Sequence, residues 1–158
     1  MTSNVCSIYN GYVNVLSGKS RDPRAIEATV GFAADDAGNG IAYVRLRSRA
    51  AQRLVRVAFG VPRLPELLGR EIGYAALTAV AKRLADSGCA TASFKISESR
   101  LAEDLEGRTE VPATLALPYV NLRCQLNRFA HCVVSVDERS APDLAARARA
   151  EVTLHVAA

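Results

Sequence analysis

The sequence has no tryptophan, one methionine and only 6% aromatic residues, so it offers no cluster of exposed rings for stacking. No apolar run approaches the roughly 18 residues needed to span a bilayer. Residues 1–9 show no basic segment followed by an apolar stretch, and the chain is expected to be cytoplasmic, with no membrane partner. The four cysteines, Cys6, Cys89, Cys124 and Cys132, form no C-x-x-C pair and have no histidine at zinc-finger spacing. A structural metal is therefore not expected. Cys6, Cys89 and Cys132 lie in or beside apolar runs, where a reduced cysteine packs as a small core residue. No glycine-rich phosphate loop, Ser-His-Asp set or dinucleotide fingerprint appears. The only histidines, His131 and His155, read as ordinary surface or half-buried residues.

What is present suits one domain over residues 1–158. Hydrophobic residues make up 49% of the chain, enough for a core, and charged residues 23%. The net charge of +4 permits nucleic-acid binding without demonstrating it. Its distribution is uneven. Ten lysines and arginines, from Lys19 to Arg70, crowd the first half, where only Asp22, Glu27, Asp35 and Asp36 oppose them before residue 65.

The pattern predicts strands at Val5–Tyr9, Ala28–Ala34 and Ile41–Ser48. The last two form a hairpin about 35–40, where Gly and Asn tolerate a reversing turn. Leu54–Phe59 either extends the sheet or crosses it. A long helix is expected from about Pro65 to Ala85, closed by Gly88, then a strand over Ala90–Ile96 and short helices over Ser99–Leu105 and Pro118–Phe129. A final strand, Cys132–Val136, precedes a helix over Ala141–Glu151, beyond which Val152–Val156 could fray. This order gives an α/β fold with a five-stranded mixed sheet, three antiparallel strands followed by two parallel ones reached through helical crossovers. Arg45, Arg47 and Arg49 recur at every second residue and should share a solvent-facing stripe.

Four stretches carry a resemblance to the ribonuclease H family over about residues 5–150. Ile8-Tyr9-Asn10-Gly11 is similar to the first-strand motif in which an aspartate precedes glycine. Gly73-Tyr74-Ala75-Ala76-Leu77 resembles the glutamate-tyrosine-x-alanine-leucine opening of the family's first helix. Lys95-Ile96-Ser97-Glu98-Ser99 resembles the strand-end aspartate-serine motif, and Asp143-Leu144-Ala145 the start of the last helix. The family's hydrolases hold two divalent ions with four carboxylates, one ion activating water and the other stabilising the leaving oxygen. The resemblance places those positions at Asn10, Gly73, Glu98 and Asp143, of which only Glu98 and Asp143 are acids. It implies Mg²⁺ or Mn²⁺ if the protein is active, with Glu98 and Asp143 as ligands and Asn10 lending a carbonyl oxygen.

Helix periodicity bears on whether Glu71 replaces the missing acid. Gly73, Ala76, Leu77, Val80 and Leu84 make one apolar stripe, and Glu71 lies about 200° from Gly73, which predicts a solvent-facing carboxylate. Each lost charge weakens metal binding, since unit charges about 4 Å apart interact by about 4 kcal/mol at an effective dielectric near 20. Glu98 and Asp143 also have a structural alternative as N-cap or helix-dipole partners. Three functions follow. The favoured one is a catalytically impaired module binding nucleic acid or a protein. The second is an active divergent nuclease cleaving RNA in RNA/DNA hybrids, and the third a structural or homo-oligomerisation domain. Arg45, Arg47 and Arg49 with Tyr43 are the candidate phosphate contacts. The alternative is that the arginines guard an edge strand against unwanted pairing. The family resemblance further implies duplex recognition through backbone and 2′-hydroxyl contacts, in keeping with the scarcity of aromatics.

Overall fold

The computed structural model describes residues 25–64 and 69–157. Five strands form one sheet: β1 (Ala25–Ala34), β2 (Asn39–Arg47), β3 (Gln52–Gly60), β4 (Thr91–Ile96) and β5 (His131–Val136), in the order β3-β2-β1-β4-β5. The helices are α1 (Glu71–Asp86), α2 (Ser99–Glu106), α3 (Ala116–Leu126) and α4 (Ala141–Val156). Strands β1, β2 and β3 are antiparallel neighbours, whereas β4 runs parallel to β1 and β5 parallel to β4.

The mixed five-stranded sheet is as expected, but its strands are not all the expected ones. The predicted hairpin is β1–β2, and Leu54–Phe59 lies within β3. The predicted strand at Val5–Tyr9 lies outside the described residues, as do Asn10 and Cys6. Local β propensity cannot tell which of several short apolar runs enters a sheet. Here β3 was obscured by Arg53 and Arg56, although Val55, Val57 and Phe59 still alternate toward the core. Helix α4 also runs to Val156 without fraying at 152, because Val152 is buried.

The two faces of the sheet are covered differently. Ala28, Val30 and Phe32 of β1, Ala42 and Val44 of β2, Val57 of β3 and Phe94 and Ile96 of β4 form the core beneath α1. Helix α3 packs on α1 from outside, with Tyr74 and Tyr119 edge to face at 6.4 Å. The opposite face carries α4, which packs mainly on β1 and β2. Its approach is set by Gly31, where a Cβ would stand 2.1 Å from the Ala145 backbone nitrogen. Only glycine lets the helix backbone come this close.

Farther along α4, Glu151 binds the Tyr43 hydroxyl and accepts from Arg56 Nε at 2.6 Å, while the Arg147 guanidinium lies 4.6 Å from the Tyr43 ring centre. These contacts fasten α4 across β2 to β3. Cys89 and Cys132 are buried as expected, and His131 and His155 are exposed. Among the described residues no helix is long and apolar enough to cross a membrane.

Candidate functional site

The parallel pairing of β1 with β4 sets Val30 opposite Ile96, the last residue of β4, while β1 continues to Phe32 beside Gly73 of α1. Past Ile96 the chain turns through Glu98, the N-cap residue of α2, whose side chain makes no capping hydrogen bond. Its carboxylate instead lies against α1. A Cβ at Gly73 would meet Glu98 Oε2 at 3.0 Å, Leu101 Cδ2 at 3.2 Å and Phe32 Cζ at 3.3 Å. Burial among such groups pushes the Glu98 carboxyl above its usual range. Of the two structural alternatives, N-capping by the Glu98 side chain is thereby removed.

Asp143 is exposed in the first turn of α4, one residue before the Leu144–Ala145 contact with Gly31. Strand alternation puts Gly31 on the α4 face of β1 and Phe32 on the α1 face. Gly73 and Glu98 are therefore brought together, while Asp143 is held by the helix on the opposite face. The start of α4 is secured by Asp137, whose Oδ1 accepts from the backbone N–H groups of Arg139 at 2.8 Å and Ser140 at 2.9 Å. Those two bonds, Ser140 first, hold the Asp137 carboxyl below its usual range.

Glu71 departs from its expected orientation. It is 3% exposed, because α3 and the β3 end cover a second side of α1 that a single apolar stripe does not reveal. A buried network unannounced by the sequence lies nearby. Asp104, 1% exposed, accepts from Arg70, Thr109 and, at 2.8 Å, the Tyr74 hydroxyl. Burial alone would raise Asp104, but the hydrogen bonds from Thr109, Arg70 and Tyr74 outweigh it and hold the carboxyl below its usual range. Burial, and then the bond to Asp104, pushes the Tyr74 phenol well above its ordinary value.

Beyond α4, the open face of the sheet carries a polar row. Register places Arg45 beside Thr29 and Thr29 beside Lys95, with Arg47, Glu27 and Ser93 in the next row. Glu27 pairs with Lys95 at 2.9 Å and with Arg47 at 3.7 Å. Arg45 makes no ion pair among the described residues. Together with Gln52, Asp137 and Ser140, the residues of these rows other than Ser93 line a recess of about 240 Å³. Arg49 lies beyond β2, exposed in the turn to β3, and Tyr43 is committed to α4. Since β2 lies between β1 and β3, its arginines do not guard a sheet edge. Lys95 was missed as part of this face, for its neighbours are set by strand order and not by spacing along the chain.

No protein-family model matches the chain, and no curated protein sequence matches it. Solved structures do. Ribonuclease H1 from the halophilic archaeon Halobacterium salinarum superposes with a TM-score of 0.66 at 18% identity, over 83% of this chain and 98% of that one. The N-terminal RNase H domain of Rv2228c from Mycobacterium tuberculosis, solved as a fusion with maltose binding protein, gives 0.62 at 14%, over 84% and 98%. LC11-RNase H1, solved in complex with an RNA/DNA hybrid, gives 0.57 at 12%, over 81% and 99%.

The fold is ribonuclease H-like. In this fold the described residues do not assemble the donors that the family's metal pair needs. Hard divalent ions take oxygen ligands, several of them anionic. At Gly73, where the Glu98 carboxylate arrives, the other nearest groups are the Phe32 ring and a Leu101 methyl. No group of three His, Cys, Asp or Glu able to hold an ion occurs among the described residues. This donor set does not fit Mg²⁺ or Mn²⁺.

Proposed function

We propose that this chain is a ribonuclease H-like module that binds double-stranded nucleic acid, an RNA/DNA hybrid being the first candidate, without cleaving it by two-metal chemistry. The observation that carries this proposal is the Arg45-Thr29-Lys95 row on the part of the sheet that α4 leaves open. Strands lie about 4.8 Å apart, so the two cations are rooted about 10 Å apart across three strands. With Arg47 beside them they offer three positive charges against Glu27 and Asp137. Such a surface suits phosphate contacts, which fix the orientation of a duplex without reading its sequence. The neighbouring LC11-RNase H1 was solved with a hybrid, which supports duplex binding on this fold.

Loss of cleavage is proposed from the side chains around Glu98. In-line attack on a phosphodiester needs two cations held in place, and an apolar ring and a glycine beside one acid offer neither charge nor ligands. Glu98 and Asp143 remain as acids, but among the described residues they join no group of three His, Cys, Asp or Glu able to hold an ion.

The test is binding of a labelled RNA/DNA hybrid by fluorescence anisotropy, at several salt concentrations, with and without Mn²⁺. Three phosphate contacts predict a slope of log affinity against log salt of about −2.7. Paired Arg45→Ala and Lys95→Ala substitutions should flatten it by about 1.8 and weaken binding. Salt-insensitive or absent binding to hybrid and duplex DNA would instead favour a structural or oligomerisation domain. Hybrid cleavage that Glu98→Gln abolishes would establish the divergent nuclease.

A further inference from the structure

A second recess lies on the other face of the sheet, where β2 and β3 meet the C-terminal half of α1. Strand alternation turns Arg53, Val55 and Val57 of β3 toward α1, and register sets Arg53 opposite Leu46 of β2. Helix α1 ends at Asp86, and the recess beside its last turns has a volume of about 230 Å³. Its lining is largely apolar. Val80 and Leu84 of the helix are buried there, whereas Leu46 and Val55 of the strands are left half-buried. Aliphatic side chains that stay partly wet along a concave wall gain from an apolar occupant that displaces the water.

Two arginines line the same recess, Arg53 from β3 and Arg83 from α1, and both are exposed. Neither forms an ion pair among the described residues. Arg83 donates through Nη1 to the Arg56 carbonyl at 3.3 Å, which ties the helix to the strand without neutralising the charge. No acid is among the described lining residues. Asp86, at the end of α1, is taken by Lys82 and Arg128, each at 2.6 Å. The carbonyls of Arg83, Leu84 and Ala85 at that helix end are engaged as well, accepting from the backbone N–H groups of Ser87, Cys89 and Gly88 at 3.1, 3.1 and 3.0 Å. The recess thus joins an apolar wall to two guanidinium groups that no carboxylate offsets.

We infer that this recess is a binding site for a small monocarboxylate with an apolar body, its carboxylate met by Arg53 and Arg83 and its body laid against Leu46, Val55, Val80 and Leu84. Size and charge agree with that occupant. An apolar cavity of about 150 Å³ takes up one benzene molecule, so this recess accommodates a phenyl ring with a two-carbon arm. The planar guanidinium fork matches the two oxygens of a carboxylate and keeps its charge at every ordinary pH. A cation would face two arginines without an acid to meet it, and a neutral alcohol would forgo the charge. The inference is independent of the duplex-binding proposal, because Arg45 and Lys95 belong to the opposite face of the sheet and line a different recess.

The experiment is a nitrogen-15 NMR titration of the full chain with 3-phenylpropionate, 3-phenylpropan-1-ol and 3-phenylpropylamine, three ligands that share one apolar body. The carboxylate should bind about tenfold more tightly than the alcohol, since hydrogen bonds between charged groups are about twice as strong as neutral ones, and the amine should not bind. Amide shifts should cluster at residues 53–57 and 80–87. Arg53→Gln, at an exposed side chain, should weaken the carboxylate about threefold and leave the alcohol unchanged. Adding Arg83→Gln should bring the carboxylate down to the level of the alcohol. Val55→Phe, which fills the recess from β3, should abolish binding of both while hybrid binding is retained. Equal binding of carboxylate and alcohol would overturn the inference, as would carboxylate binding indifferent to Arg53→Gln or no carboxylate binding at all. Should the double variant fail to fold, the carboxylate-to-alcohol ratio in the wild type and its fall in Arg53→Gln decide the matter alone.

Discussion

Gly73 and Glu98 meet so closely that a Cβ on the glycine would stand 3.0 Å from Oε2 of the acid. Two positions that the family resemblance assigns to neighbouring carboxylates are thus neighbours here, but one has no side chain. The third wall is the Phe32 ring. Glu98 consequently sits as a lone acid in surroundings that favour its neutral form.

The pH dependence follows from the direction of that shift. Burial raises the carboxyl in the folded state, so between its ordinary and raised values the native protein holds more protons than the unfolded chain. Stability then falls as pH rises through that window. Glu98→Gln, neutral and close in shape, should melt higher than wild type at pH 8, and the gain should vanish as pH falls below the ordinary carboxylate range. Melting curves from pH 3 to pH 8 check this. A variant less stable at pH 8 would mean that donors or a cation hold the charged form.

Adding a second acid should expose the metal question directly. Gly73→Glu places two carboxylates side by side against Phe32 and Leu101, and like charges in such a setting repel. We expect the variant to melt below wild type at pH 7 and to recover as the pH is lowered. Mn²⁺ at millimolar concentration should raise its melting temperature through ligand linkage. Under the same conditions wild type should not shift, and a saturable Mn²⁺ stabilisation of wild type would mean that its own donors hold the ion.

Gly31 makes a purely steric prediction. Gly31→Ala drives a methyl to within 2.1 Å of the Ala145 backbone, which cannot rotate aside as a side chain could. Overpacking of this kind costs about 1–3 kcal/mol, occasionally more. Denaturant unfolding should show that loss, and the Tyr43–Glu151 contact farther along α4 should loosen as the helix is displaced. A neutral substitution would contradict the close packing of α4 on β1.

Asp104 is the described acid whose loss should be felt most in stability. Asp104→Ala leaves Arg70, the Tyr74 hydroxyl and Thr109 without their shared acceptor, and breaking one side of a buried pair costs about 3 kcal/mol. The folded carboxyl lies below its usual range, so its contribution is complete above the ordinary carboxylate value and is lost as pH falls through the lowered one. The gap between wild type and variant should therefore be widest near neutrality and close in strong acid. Urea unfolding at pH 7 and at pH 2.5 measures both ends.

By itself the sequence determined the kinds of element and most of their places. Alternation marked β1, β2, β4 and β5, and the Gly73-Ala76-Leu77-Val80-Leu84 stripe marked the face of α1 on the sheet, because burial on one side leaves a periodic trace in the chain. Through the family resemblance it also paired Gly73 with Glu98, and the two are neighbours in the structure.

Only the tertiary structure decided which apolar segment supplied β3 and that Phe32 of β1 stands beside Gly73, where the Glu98 carboxylate arrives. Tertiary packing also buried Glu71, since α3 covers a side of α1 on which nothing in the helix pattern announces a partner. It assembled Arg45, Thr29 and Lys95 into one row from strands whose order the chain does not spell out. The physical reason is the same in each case. Periodicity records how a residue faces its own element's nearest layer, whereas a site is made by groups far apart in sequence, whose meeting depends on sheet order and on helices packed from outside.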